Sequence, residues 1–409
     1  MSETSESSIS TKSQGQLSPW QVFTIFLRLG LTSFGGPIAH LGYFRNEFVT
    51  RRRWLTERSF ADLVALCQFL PGPASSQVGI SLGLSRAGYW GGIAAWAGFT
   101  LPSAVALILF AIGISNYSET IPKDLLHGLK IVAVAVVVQA VWGMATNLCK
   151  GVARITIMGV ACCLALLFSS VWAQVGIIAL AATLGLAILK PSQALPHEPL
   201  HLSISYKAGA LWLVLFFSLL IGLPIVLQLI PNRTLSLVDA FYRAGSLVFG
   251  GGHVVLPLLQ AETVSRGWIN NEMFLAGYGA TQAVPGPLFT FAAFLGASMP
   301  SEPSRWLGGV VCLFAIFAPS FLLIAGALPF WEGIRGSQWT QAALAGVNAA
   351  VVGILLAALY KHVWVNAIYQ PKDFALALIA LIALMFWKAP PWIVVLGSGL
   401  AGWLLGAVN

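Results

Sequence analysis

From Leu17 almost to the C-terminus, the chain alternates long, continuously apolar stretches with short polar ones. Stretches near Pro19–Gly36, Phe60–Leu84, Gly88–Ile114 and Leu125–Asn147 come first. Ile155–Leu189 is long enough for two short spans turning near Ser169–Ser170, and Ala208–Ile230 follows a proline-containing connector. The second half repeats the theme near Val238–Leu259, Phe274–Ser298, Trp306–Phe330, Gln341–Tyr360, Phe374–Trp387 and Trp392–Val408. Runs such as Ile131–Val138 lack the alternation of a barrel strand, so the elements are helices with internally satisfied backbones. Roughly 10–13 membrane segments are predicted, each near the length that crosses a bilayer. Hydropathy leaves open which of them cross fully and which re-enter. The fold class is an all-α polytopic membrane protein.

Composition agrees. Of 409 residues, 57% are hydrophobic and only 9% charged, against about 25% charged in soluble domains. Lys and Arg number 22 against 14 acids, an excess that marks cytoplasmic loops before it marks nucleic-acid binding. The basic loop with Arg45, Arg51, Arg52, Arg53 and Arg58 is therefore placed in the cytoplasm. The five cysteines lack metal-ligand spacing and read as buried thiols; neither a metal nor another cofactor is expected. The polar start, residues 1–18, lacks the pattern of a cleaved signal peptide.

The chain repeats itself. Arg28-Leu-Gly-Leu-Thr-Ser-Phe34-Gly35-Gly36 returns as Arg243-Ala-Gly-Ser-Leu-Val-Phe249-Gly250-Gly251. Glu47 and Glu262 each follow the last of these glycines by eleven positions, and Trp54 and Trp268 match after a small shift. Gln68-Phe-Leu-Pro71-Gly72-Pro73 returns as Gln282-Ala-Val-Pro285-Gly286-Pro287, and Gly91-Gly92 with Pro102-Ser103 as Gly308-Gly309 with Pro319-Ser320. Two homologous halves are predicted, residues 19–189 and 237–409, joined by a connector with an extra helix over 190–236. Duplicated membrane halves typify secondary transporters, with the substrate site at the repeat interface. The basic loop Arg45–Arg58 has a far less basic counterpart at Glu262–Glu272, the asymmetry that inverted repeats would give.

Candidate chemistry sits in the matched motifs. A Pro-Gly-Pro element at midspan breaks a helix, and freed backbone groups are tolerated in a membrane only where they line a cavity or are covered by protein. The half-helix that follows starts at Pro73 or Pro287, and its first-turn amides (Ala74, Ser75 and Ser76; Leu288, Phe289 and Thr290) form an anion-friendly terminus. The competing reading is a pair of packing kinks. Arg28 and Arg243 lie in apolar segments, where an arginine costs about 2.5–3.5 kcal/mol, and a guanidinium suits an oxyanion. They could equally be structural partners of Glu47 and Glu262. The glycines of Gly35-Gly36 and Gly250-Gly251 offer backbone amides or close helix packing. Gln68 and Gln282 sit one turn before the breaks, and His253 is titratable. Glu47, Glu262 and His253 are the available proton carriers. The Gly-Lys of a phosphate loop is absent, so transport should run on ion gradients unless a partner supplies an ATPase.

These residues resemble the chromate ion transporter family in its long, two-domain form. Phe34-Gly35-Gly36-Pro37, Glu47, Trp54, Pro71-Gly72-Pro73, Phe249-Gly250-Gly251-Gly252-His253 and Pro285-Gly286-Pro287 carry the match. The resemblance implies a multi-pass protein of the cytoplasmic (inner) membrane that exports chromate, giving resistance, driven by the proton-motive force. Sulfate, a similar dianion, is the expected competitor, and a homodimer is compatible with it. The second half has Gly252 where the first has Pro37. The other readings are a sulfate or other oxyanion importer of the same fold and, from another class, an intramembrane enzyme. The last lacks a nucleophile–base pair or metal cluster, and no catalytic residue is assigned.

Overall fold

The computed structural model describes residues 17–116, 122–168, 171–189, 204–249, 252–300, 302–303, 305–331 and 337–407, with helices and no strands among them. Helix α1 (Pro19–Thr32) opens with Ser18 accepting from the Gln21 amide and Pro19 in the first turn, where a missing N–H costs nothing. It ends at Ser33, and Gly35 and Gly36 at φ +99° and +78° turn the chain back into α2 (Gly36–Phe44), which continues as a wider π turn over Arg45–Arg51. Phe26 of α1 packs on Phe44 and Phe48, ring centroids 5.7 and 5.1 Å away, so the two segments form a hairpin.

Helix α3 (Glu57–Phe69), capped by Thr56, runs to the first Pro-Gly-Pro break, beyond which lies α4 (Ala74–Asn116). Ala87 and Gly88 are non-helical and fold α4 into two arms, 74–86 and 89–116. At their crossing, a Cβ on Gly83 would strike the Gly91 carbonyl, and one on Gly91 the Gly83 carbonyl, so only glycine permits this approach. The Leu17 amide donates to the Arg86 carbonyl (3.2 Å), and Arg86 Nη2 donates to the Trp54 carbonyl (2.7 Å). The start of α1, the approach to α3 and the end of the first α4 arm thus meet at one membrane face. The stretch Phe60–Leu84, which hydropathy offers as one segment, is a re-entrant hairpin with its break at the tip.

The half continues with α5 (Lys123–Leu148), α6 (Val152–Leu167) and α7 (Val171–Ile188). A single apolar helix, α8 (Tyr206–Leu229), separates it from the second half. There α9 (Arg233–Ser246) leads through a short turn to α10 (Val255–Thr263), then α11 (Asn271–Thr281), the second break and α12 (Phe291–Ser298). The remainder is α13 (Arg305–Ala327), α14 (Gln338–Ala358), α15 (Pro371–Met385) and α16 (Pro391–Ala407). The second half closes its hairpins as the first does: Arg233 lies 4.2 Å over the Trp268 ring and points Nη2 at the Met299 sulfur, joining the ends of α9, α11 and α12. Five helices of the described residues are long and apolar enough to cross a membrane, α8 among them; α6, α7 and α16 are shorter apolar helices.

Parity now settles the relation between the halves. The hairpins return to their starting face, the second arm of α4 and α5 cross as a pair, α6 and α7 pair, and α8 crosses alone. An odd number of crossings inverts the second half. Cross-packing fits this arrangement: Gly128 of α5 abuts Ser398 of α16, and Gly346 of α14 abuts Ala181 of α7, each so closely that a Cβ would clash with the facing carbonyl. Each half therefore clasps the last helices of the other. The face with Arg45, Arg51–Arg53, Arg58, Arg86, Lys150, Arg154 and Lys388 is the more basic and reads as cytoplasmic.

Candidate functional site

Four hairpin tips meet inside the protein. The Gly72 amide donates to the Val248 carbonyl at 2.7 Å, and the Gly286 amide to the Ser33 carbonyl at 2.9 Å. Ser33 and Val248 are repeat counterparts, as are Gly72 and Gly286, so each Pro-Gly-Pro tip docks on the Phe-Gly-Gly tip of the opposite half. Gly72 and Gly286 have φ of +126° and +100°, and a Cβ on either would lie 2.8 Å from a serine hydroxyl of the other half, Ser320 or Ser103. The breaks are junctions between halves, not isolated kinks.

Freed backbone groups are accounted for locally. Gln77 Nε2 donates to the Pro71 carbonyl at 2.7 Å and so caps a carbonyl at the break. Gln68 is exposed, and Gln282, whose backbone N–H closes the end of α11, has a side-chain Nε2 that is buried without a hydrogen-bond partner among the described residues. After Pro73 a regular helix starts, with Ser75 Oγ 3.4 Å from His40 Nδ1 and the Ser76 hydroxyl unpartnered. The second half differs. After Pro287 the chain takes a tight 3₁₀ turn, Leu288–Thr290, in which both the Thr290 amide and hydroxyl donate to the Pro287 carbonyl. Thr290 N–H is therefore not free, contrary to the expectation from sequence; the two termini are unequal because a 3₁₀ turn closes its bonds one residue sooner.

Several buried polar groups at this junction escaped the sequence reading. Ser33 Oγ, Ser320 Oγ, Thr100 Oγ1 and His40 Nε2 are buried and without hydrogen-bond partners among the described residues. Buried polar atoms are normally satisfied, so a cluster of unsatisfied ones is informative. The recurrence of Pro102-Ser103 as Pro319-Ser320 was the one signal that could have found Ser320. His253 reaches the same place from the second half: its Nδ1 lies 2.8 Å from the Tyr278 hydroxyl, and its Nε2 faces Gly36. Gly250 and Gly251 lie outside the described residues.

The two arginines differ. Arg28 is exposed on α1, in line with exposed Gln21, Thr24, Thr32 and Gly35. Arg58 and Gln68 are exposed on α3. Lipid-facing surface looks otherwise, as on α8, where Leu211, Val214, Phe217 and Ile221 point outward. Trp20 and Leu31 are exposed beside this line of polar residues, and the arginine itself favours water over hydrocarbon by about 2.5–3.5 kcal/mol. The polar stripe runs from the more basic face to the Gly35 tip, with Arg28 five residues, about 7.5 Å of helix, from Ser33. Arg243, its counterpart, is half-buried and committed: it pairs with Asp239 and with Glu262 (3.1 Å), both buried, and Glu262 pairs with Arg266 (2.7 Å). Glu47 is held by Arg51 and Arg52 at 3.0 and 2.6 Å. At the rim of the more basic face Arg45 grips Glu57 with two hydrogen bonds and holds its carboxyl below the ordinary range.

An apolar crevice of about 480 Å³ between α4, α8 and α13, walled by Trp96, Trp212, Phe314 and Phe321, offers almost nothing to an anion. No group of three or more metal-ligating side chains occurs among the described residues.

Inverted halves whose re-entrant tips cross at the centre define a class, the duplicated multi-pass carriers with discontinuous helices at their midplane. The sequence profile described as chromate transporter matches twice, at residues 20–186 and 235–403. The chain belongs to the chromate transporter family. It is 29% identical to a chromate transport protein of Pseudomonas aeruginosa, covering 94% of this chain and 92% of that one. A chromate transport protein of Cupriavidus metallidurans is 24% identical, with 93% and 92% covered. An uncharacterized transporter of Methanocaldococcus jannaschii is 25% identical, with 82% of each chain covered. No solved structure matches.

Proposed function

We propose that this protein is a secondary carrier that exports chromate across the cytoplasmic (inner) membrane, conferring resistance, with sulfate as a competing substrate and the proton-motive force as the drive. The observation that carries the reading is the crossed junction: two hairpin tips from each half, with unpartnered hydroxyls at Ser33, Ser76 and Ser320, reached by a polar stripe bearing Arg28. A tetrahedral dianion needs several donors from different directions and a cation to offset its charge. The Ser33 and Ser76 hydroxyls, the first amides after Pro73, the Gly35-Gly36 backbone and Arg28 supply those from the first half; Ser320, His253 and Gln282 approach from the other half. Chromate is also what two relatives are named for transporting.

Inverted membrane vesicles energised with a proton gradient should accumulate labelled chromate, and excess sulfate or a protonophore should suppress it. Replacing Arg28 by Gln should abolish the uptake while the protein still inserts. Normal uptake by Arg28→Gln would reject the assignment of that residue. Accumulation only in right-side-out vesicles would make the protein an importer.

A further inference from the structure

The two halves share a sequence pattern but not a conformation, and the difference is systematic. On the second-half side, the buried Glu262 carboxylate links Arg243, which is anchored by the buried Asp239, to Arg266 at the exposed end of a chain of ion pairs. The same register places Arg28, Glu47 and Arg51 on the first-half side, with Thr24 in place of Asp239. There the central link is missing. Arg28 is exposed, and the Glu47 carboxylate is taken by Arg51 and by Arg52, whose counterpart Gly267 carries no charge.

Helix packing differs in the same sense. Leu275 and Gly279 of α11 are buried, with Gly279 seated against the Leu129 carbonyl of α5. Their counterparts on α3, Ala61 and Ala65, are exposed. The counterpart of the α5 dock is the neighbourhood of Val347 on α14, given that Gly128 matches Gly346. The second-half side is thus shut by an ion-pair chain and a docked hairpin, and the first-half side stands open.

We infer that the structure is the inward-open state of an alternating-access cycle, and that the Arg–Glu–Arg triads are paired gates. In the opposite state Arg28 leaves the polar stripe for Glu47, α3 docks on α14 near Val347, and Arg243 separates from Glu262. Inverted repeats make this exchange economical, since each half can adopt the conformation the other shows. An anion bound by Arg28 competes with Glu47 for the same guanidinium, which would couple occupancy to gating. That last clause rests on the oxyanion reading; the gate itself does not.

The test uses the full chain in vesicles with its native cysteines replaced and single reporters at Ala61→Cys or Leu275→Cys, read with a membrane-impermeant maleimide. In the parent, Ala61→Cys should label from the cytoplasmic face and Leu275→Cys should be protected. Glu262→Gln should expose Leu275→Cys to the outer face and slow Ala61→Cys labelling several-fold. Unchanged rates, or both rates rising together as in general loosening, would overturn the gate. Should Glu262→Gln fail to fold, the pair Ala65→Cys with Val347→Cys decides: an oxidant should link α3 to α14 and block cytoplasmic labelling, whereas no link would overturn the proposal. Because labelling needs no substrate, a failed gate with intact chromate transport is separable from a working gate with no chromate transport.

Discussion

The amide of Gly72 donates to the carbonyl of Val248 at 2.7 Å across the two halves, and the counterpart bond from Gly286 to Ser33 spans 2.9 Å. Residues 176 positions apart in one bond, and 253 in the other, are joined at the deepest point of four hairpins. Each bond satisfies a backbone group that its own break released, so the halves complete one another where water is scarce and unmet polar groups are costly.

Gly72→Ala should therefore damage both folding and transport. The residue sits at φ +126°, and a Cβ would approach Gln77 Nε2 to 2.6 Å and Ser320 Oγ to 2.8 Å. Strain of about 1–3 kcal/mol is expected. Thermal unfolding in detergent should drop, and vesicle uptake should fall with it. Gly113→Ala, where nothing lies within 4 Å, should leave both unchanged.

Ser320→Ala separates binding from stability. Its hydroxyl is buried and unpartnered among the described residues, so removing it should leave the melting temperature equal or higher. If the hydroxyl serves the anion, KM for chromate should rise severalfold with little change in kcat. A lowered melting temperature with unchanged KM would make Ser320 a packing residue.

Ion pairs at the two faces should respond differently. Arg243→Met leaves Asp239 and Glu262 facing each other in a buried site, a change that costs about 3–5 kcal/mol where one partner of a buried pair is removed. Arg45→Ala breaks an equally short bidentate pair with Glu57, but both side chains are solvated and the melting temperature should barely move.

The inverted arrangement fixes the sidedness of each loop. Reporter fusions after Arg53, Lys150 and Lys388 should report the cytoplasm, and fusions after Asn270 and Tyr369 the outside. A fusion after Asn270 that reports the cytoplasm would make the halves parallel and remove the basis of the paired gates.

By itself the sequence determined the helical membrane class, the duplication and the places where helices must break, because these depend on local chemistry. Continuous apolar runs force helices, prolines remove donors, and recurring motifs report a shared backbone whatever its surroundings. The loop charges even pointed to inversion. What remained for the tertiary structure was every relation between segments distant in the chain. Hydropathy treats Phe60–Leu84 as it would a spanning helix, and the contacts of Arg86 with Trp54 and Leu17 show it to be a hairpin. Arg28 and Arg243 occupy matching motifs, yet one is exposed and the other is paired with Asp239 and Glu262, and Gly279 of α11 is seated on α5 while the corresponding Ala65 of α3 is exposed. Ser33 and Ser320 are unremarkable in the sequence and become candidates once the tips converge. An inverted repeat encodes two conformations in nearly one pattern, and three-dimensional packing selects which half adopts which.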